Sequence, residues 1–119
     1  MAFELACAPS DVPADEGLGV TIGDVDVAIA RQTTEQGEEF FAIQDLCSHA
    51  HVALSEGEVA SSAGTCTIEC WLHGSSFDLR TGKPTGLPAT EPVATFPVEV
   101  RDDGVYVDTT TTLNGVNPQ

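Results

Sequence analysis

Two short pairs constrain this chain more than anything else in it: Cys47-Ser48-His49 and Cys70-Trp71-Leu72-His73. Each brings one thiol and one imidazole into the same short loop. Positions 50 to 69 separate the pairs, enough chain for a loop and a hairpin that return the second pair to the first. A fold that accommodates both must mount two loops on one scaffold and turn them toward each other. Facing pairs of this kind present two soft and two borderline donors, a set that suits zinc or an iron–sulfur cluster.

The scaffold reads as β-structure. Phe3 and Leu5 alternate with polar Glu4 before Ser10-Asp11-Val12-Pro13 breaks the pattern. Val20 and Ile22, then Val25, Val27 and Ile29, alternate on either side of Gly23-Asp24, which predicts a hairpin. Thr34 to Gly37 predicts a turn and Phe40-Phe41-Ala42-Ile43 a short strand. Near the end Phe96, Val98 and Val100 alternate, Asp102-Asp103-Gly104 turns the chain, and Val105 and Val107 continue a second hairpin. No long segment has helical periodicity and no internal repeat is visible. All three histidines and three of the four cysteines fall between Asp45 and Thr95. The organisation is therefore a β scaffold carrying a ligand-rich insertion. A chain of 119 residues suits one domain, placed here at residues 1–108, with 109–119 read as a flexible, frayed C-terminal tail.

Composition excludes several classes. Nineteen acidic residues stand against four basic ones, a net charge of −15, and such a field repels phosphate backbones, so no nucleic acid is expected. The acidity is read first as solubility or salt adaptation and second as steering toward a basic partner. No apolar run approaches ~18 residues, so no membrane helix is expected. Met1-Ala2-Phe3-Glu4-Leu5 lacks a basic, apolar leader, which leaves the cytoplasm as the expected location. In a reducing compartment, cysteines beside histidines read as metal ligands rather than disulfide partners.

Cys47-Ser48-His49 with Ala50-His51, and Cys70-Trp71-Leu72-His73 with Gly74-Ser75, resemble the two ligand boxes of the Rieske family. Leu54-Ser55-Glu56-Gly57 and Phe77-Asp78-Leu79-Arg80-Thr81-Gly82-Lys83-Pro84 resemble the segments that follow each box in Rieske-type ferredoxins. The resemblance implies an all-β fold: an antiparallel β-sandwich with a small cluster-binding subdomain, about 45–95. It implies one [2Fe–2S] cluster, with Cys47 and Cys70 on one iron and His49 and His73 on the other, nearer solvent. A proline-containing segment, matched by Gly86-Leu87-Pro88, would cap the cluster. Mixed ligation leaves the oxidised centre neutral where four thiolates would leave it doubly negative, so an electron is accepted more easily; the window is about −150 to +300 mV. High-potential relatives carry an extra cysteine in each box, matched here by Ala50 and Leu72, and a tyrosine matched by Phe77. Ser75 matches a serine that donates to a bridging sulfide. One retained and one missing donor place the expected potential in the lower half of the window.

Other residues receive plainer readings. His51 is a solvated side chain near the tip. Cys66 and Cys7 are small core or strand residues, with a bond between them left open. Trp71 packs on the subdomain. Arg80 and Lys83 pair with nearby acids, and Glu56 and Glu58 form a solvated turn. The expected function is a soluble electron carrier that takes single electrons from a flavin-dependent ferredoxin reductase and passes them to a terminal oxygenase or other oxidoreductase. It is not itself an enzyme: a His₂-carboxylate iron site would need more histidines than remain. The alternatives are a zinc-stabilised binding module and a permanently bound small redox subunit.

Overall fold

The computed structural model describes residues 3–12, 16–34, 37–46, 53–62, 65–70, 75–85, 91–101 and 104–116. Ten strands lie among them: β1 (Glu4–Cys7), β2 (Gly17–Ile22), β3 (Val25–Thr34), β4 (Gly37–Gln44), β5 (Val59–Ser62), β6 (Thr65–Glu69), β7 (Ser76–Asp78), β8 (Thr95–Phe96), β9 (Val98–Arg101) and β10 (Gly104–Val107). The helical pieces among the described residues are two 3₁₀ turns, Pro9–Asp11 and Leu54–Glu56. No described helix is long and apolar enough to cross a membrane.

The strands form three sheets, β1-β10-β9, β2-β3-β4-β8 and β5-β6-β7, and every pairing is antiparallel. The fold is thus the antiparallel β architecture expected from the sequence. The β2–β3 hairpin turns at Gly23-Asp24, between paired Ile22 and Val25, with Gly23 at φ 61°, a conformation a side chain would resist.

The four-stranded sheet is the middle layer. Successive strand residues point to opposite faces, and β3 uses both. Val27 and Ile29 join Val12, Ile22, Ala42, Phe96, Val105 and Val107 in the core shared with β1-β10-β9. Ala28 and Ala30 face the other way, into a second core with Phe41, Ile43, Leu54, Ile68, Cys70, Phe77 and Leu79. That second core fastens the β5-β6-β7 sheet to the scaffold. The alanines matter because a small side chain lets the outer layer approach closely. Arg80, just beyond β7, adds a tether at the rim. Its guanidinium donates to both carboxylate oxygens of Glu39 in β4, at 2.8 and 3.0 Å, and lies over the Phe41 ring at 5.1 Å. The bond to Glu39 holds the Arg80 guanidinium even more firmly charged than usual. The surface pairing read for Arg80 is present.

Three local expectations are revised or settled. The alternation through Phe96, Val98 and Val100 is not one strand. Phe96 pairs with Ala42 in the middle sheet, whereas Val98 pairs with Val107 in the β1-β10-β9 sheet. Pro97 stands at the change of sheet, where its missing N–H costs no ladder bond. The described part of the expected frayed tail, residues 109–116, folds back onto the body. The Leu113 N–H donates to the Thr95 carbonyl at 2.8 Å, Val116 packs on the inner core, and Asn114 bridges three backbone positions described below. Cys7 lies on β1 and Cys66 on β6. They belong to cores on opposite faces of the middle sheet, which removes the bond left open between them.

Candidate metal centre

The segment carrying the first pair leaves the end of β4. The Gln44 N–H donates to the Ala94 carbonyl at 2.8 Å and the Asp45 N–H to the Asp26 carbonyl at 2.9 Å, fixing where it starts. The carboxylate of Asp45 reaches across to where the segment ends. Its Oδ1 accepts the Ser55 N–H and its Oδ2 the Ser55 hydroxyl, both at 2.7 Å. Ser55 sits in the 3₁₀ turn Leu54–Glu56, whose Leu54 is fully buried in the outer core. Two glycines of β2, on one face of that strand, make room. A Cβ at Gly17 would fall 2.9 Å from the Ser55 Cα, and one at Gly19 would fall 2.9 Å from both Asp45 Oδ2 and Ser55 Oγ. Cys47, His49 and His51 lie between these flanks, outside the described residues.

The second pair follows β6. Cys70 is 0 % exposed and its thiol is free. Its N–H donates to the Ser75 carbonyl at 2.6 Å, so the chain leaving at Cys70 returns to it five residues later. Ser75 and Phe77 are buried, and Phe77 pairs with Ile68 across β6–β7. Trp71 and His73 lie outside the described residues, as does Pro88 with the rest of positions 86–90. That last segment is tied at its entry, where the Thr85 N–H donates to the Ser76 carbonyl at 2.8 Å. Past its exit, the Val93 N–H donates to the Gly82 carbonyl at 2.9 Å.

Backbone contacts bring the described flanks of the two segments together. Gly57 ends the 3₁₀ turn after the first pair and lies directly against the carbonyl of Glu69, the residue before Cys70. The Glu69 N–H donates to the Glu58 carbonyl at 2.9 Å. Leu54, which follows the first segment, and Cys70, the first residue of the second pair, share the outer core. The carboxylates of Glu16, Glu56, Glu58 and Glu69 are exposed around this region.

The donor chemistry fits an iron–sulfur centre. Cys70 supplies a soft sulfur donor, fully buried in the core that also holds Leu54, Ile68, Phe77 and Leu79, and sulfur is the donor type that iron–sulfur clusters take. Among the described residues no group of three or more His, Cys, Asp and Glu converges; three of the four expected ligands lie outside them. Asp45, Ser55, Gly17, Gly19 and Gly57 received no structural role from the sequence. The quoted run Leu54-Ser55-Glu56-Gly57 was the available signal, but it does not say what Ser55 bonds or what Gly57 touches.

Comparison with known proteins agrees with this geometry. Residues 2–97 match the Rieske [2Fe-2S] domain family. The chain is 43% identical over 103 residues, 87% of this chain and 90% of the relative, to the 3-phenylpropionate/cinnamic acid dioxygenase ferredoxin subunit of Escherichia coli strain K12. Among solved structures, the ferredoxin of carbazole 1,9a-dioxygenase from Nocardioides aromaticivorans IC177 superposes with a TM-score of 0.79 at 27% identity, covering 100% of both chains. A chain from the complex of reduced oxygenase and oxidized ferredoxin in carbazole 1,9a-dioxygenase gives a TM-score of 0.73 at 34% identity, covering 88% of this chain and 91% of the other. Buried Cys70, the flanks stitched at Gly57 and Glu69, and a match through nearly the whole sheet scaffold lead to one assignment: this chain belongs to the Rieske [2Fe–2S] domain family.

Proposed function

We propose that this chain is the electron-transfer ferredoxin of a multicomponent oxygenase system, with Cys47 and Cys70 holding one iron of its cluster and His49 and His73 the other. The observation that carries the reading is the fully buried, free thiol of Cys70, at the base of one short segment and within the same core as the base of the other. When bound, the [2Fe–2S] cluster supplies a centre that takes up and gives up one electron at a time. The protein's part is to hold, shield and present. The ties Asp45–Ser55 and Cys70–Ser75 set where each ligand segment begins and ends. Leu54, Ile68 and Phe77 keep water from the thiol side. Ser75 is the one donor matched to the family's sulfide-bonding serine, and buried Phe77 offers no hydroxyl. That combination supports a potential in the lower half of the Rieske window.

Two partners follow: a flavin-dependent reductase that delivers the electron and a terminal oxygenase that receives it. The relatives are ferredoxin subunits of dioxygenases, and one matched structure is a ferredoxin–oxygenase complex. The exposed glutamates 16, 56, 58 and 69 support a docking face for a basic partner surface. The free thiols of Cys7 and Cys70 support a reducing, cytoplasmic setting. The test is anaerobic purification followed by iron and sulfide analysis. Iron and acid-labile sulfide in equal amounts, with a reduced form of low average g value, are expected. A colourless protein holding zinc alone would end the carrier reading in favour of a zinc-stabilised module.

A further inference from the structure

We infer that Asp45 is a positioning residue for the first ligand segment, acting through Ser55 as a clasp that closes the chain on either side of Cys47 and His49. The inference rests on the ligand reading above and goes beyond it. Asp45 is described among the residues but belongs to neither ligand pair, and its own backbone is already anchored to Asp26. Its side chain therefore has one evident task. Both oxygens go to a single residue ten positions on, one to a backbone N–H and one to a hydroxyl, each at 2.7 Å. Bonds accepted by a carboxylate are the stronger kind, and a two-point contact fixes orientation as well as distance.

Burial of Leu54 and the Glu58–Glu69 bond hold the turn Leu54–Glu56 to the body, and the two Asp45 bonds are what join it to the start of the first segment. Gly17 and Gly19 present backbone, not side chains, to Asp45 and Ser55. Any side chain at Gly17 or Gly19 would push the turn Leu54–Glu56 away. Leu54 is buried in the same core as Cys70, so the clasp joins the start of the first segment to a turn that is already fixed to the body holding the second.

The geometry separates shape from charge. Asn at position 45 retains two contacts: its carbonyl accepts the Ser55 N–H, and its amide donates to the Ser55 oxygen, since a hydroxyl also accepts. Ala retains neither. The experiment measures the rate of cluster loss, followed by visible absorbance, and the EPR g-values in the holoprotein and in Asp45→Asn, Asp45→Ala, Ser55→Ala and the Asp45→Ala/Ser55→Ala double variant. Asp45→Ala is expected to lose its cluster about tenfold faster or more, with altered g-values. Ser55→Ala should fall between it and the parent, and Asp45→Asn within about threefold of the parent with its g-values kept. The double variant should lose the cluster no faster than Asp45→Ala alone, because the two residues act as one unit. If Asp45→Ala does not load, Ser55→Ala and Asp45→Asn decide by the same criteria. Parent-like lifetimes in Ser55→Ala and Asp45→Ala would overturn the clasp, as would an Asp45→Asn variant as labile as Ala. A parent protein with neither iron nor sulfide would instead remove the cluster reading, and this inference with it.

Discussion

Gly57 and Glu69 meet backbone to backbone: a Cβ at position 57 would fall 1.6 Å from the Glu69 carbonyl oxygen. This contact brings the turn that follows the first cysteine–histidine pair against the residue that precedes the second. Backbone dihedrals do not demand glycine there, since φ is −90°. The requirement is space alone. Gly57→Ala must therefore drive the Leu54–Glu56 turn and the end of β6 apart, because the atom it strikes is backbone and has nowhere to rotate. Overpacking of this kind costs about 1–3 kcal/mol. Thermal unfolding should show it in the apo and holo forms alike, and the purified holo variant should hold less iron per chain than the parent. An alanine variant with parent stability and full iron content would mean that the two flanks do not depend on this contact.

Phe77 offers a second test. Its ring is fully buried in the core that contains Cys70, on the strand paired with the segment leading to that cysteine. Phe77→Tyr brings a hydroxyl into that core. A hydrogen bond to a ligand sulfur favours the reduced, more negative centre and raises the potential. A net bond of about 0.5–1.5 kcal/mol, converted at 59 mV per tenfold change for one electron, corresponds to roughly 20–65 mV. Protein-film voltammetry on the two proteins reads this directly. An unchanged potential would show that the ring's far end does not face a ligand sulfur.

The hairpin at Gly23-Asp24 and the alternation of β3 were legible because each is set by neighbours in sequence: turn chemistry in one case, period two in the other. The split at Pro97 was not, since Phe96 and Val98 each alternate correctly and only the identity of their partners, Ala42 and Val107, shows that they belong to different sheets. At the site, the ligand pairs stood out because thiols beside imidazoles are chemically unusual wherever they fall. The clasp between Asp45 and Ser55, and the contact between Gly57 and Glu69, are relations between ordinary residues ten or more positions apart. No composition or period marks such a pair until the fold brings its members together. The tail failed for the same reason: its threonines and asparagines read as a solvated end, and tertiary partners gave Asn114 a task.

Cys7 carries a pH prediction. Burial pushes its thiol pKa above the ordinary value, and the nearby carboxylate of Asp11 pushes it the same way. A thiol that ionises later in the folded protein than in the unfolded chain favours folding at low pH. That contribution is constant below the unfolded value and is lost as pH rises through the folded one. Because the thiolate is the reactive form, iodoacetamide should modify Cys7 more slowly than free cysteine at pH 8, with the half-maximal rate displaced to higher pH. Peptide mapping across a pH series checks this. A profile matching free cysteine would contradict the half-buried placement in β1.

Asn114 supplies the sharpest test of the folded-back C-terminal segment. Its Nδ2 donates to the carbonyls of Thr81 and Val93, each at 2.8 Å, and its Oδ1 accepts the N–H groups of Thr95 at 3.3 Å and Val116 at 3.2 Å. Both hydrogens and both lone pairs of the amide are thereby used. Thr81 and Val93 stand on either side of residues 86–90, so the side chain ties together the two ends of the segment that contains Pro88. The site tolerates no bulk: Gly82, at φ 75°, would place a Cβ 2.1 Å from the Val93 carbonyl oxygen and 2.7 Å from the Asn114 amide nitrogen. Asn114→Ala leaves those carbonyls and the Thr95 N–H without this partner, at a cost of about 1–3 kcal/mol. Asn114→Asp keeps the shape and the acceptor but sets a carboxylate against two carbonyl oxygens. It should destabilise at least as much as alanine despite being the closer isostere, and more at neutral pH than at pH 4, where protonation restores one donor. Denaturant unfolding of the three proteins at both pH values separates these cases. Aspartate equal to asparagine at neutral pH would show that the two carbonyl contacts contribute nothing and that Leu113 and Val116 alone hold the segment down.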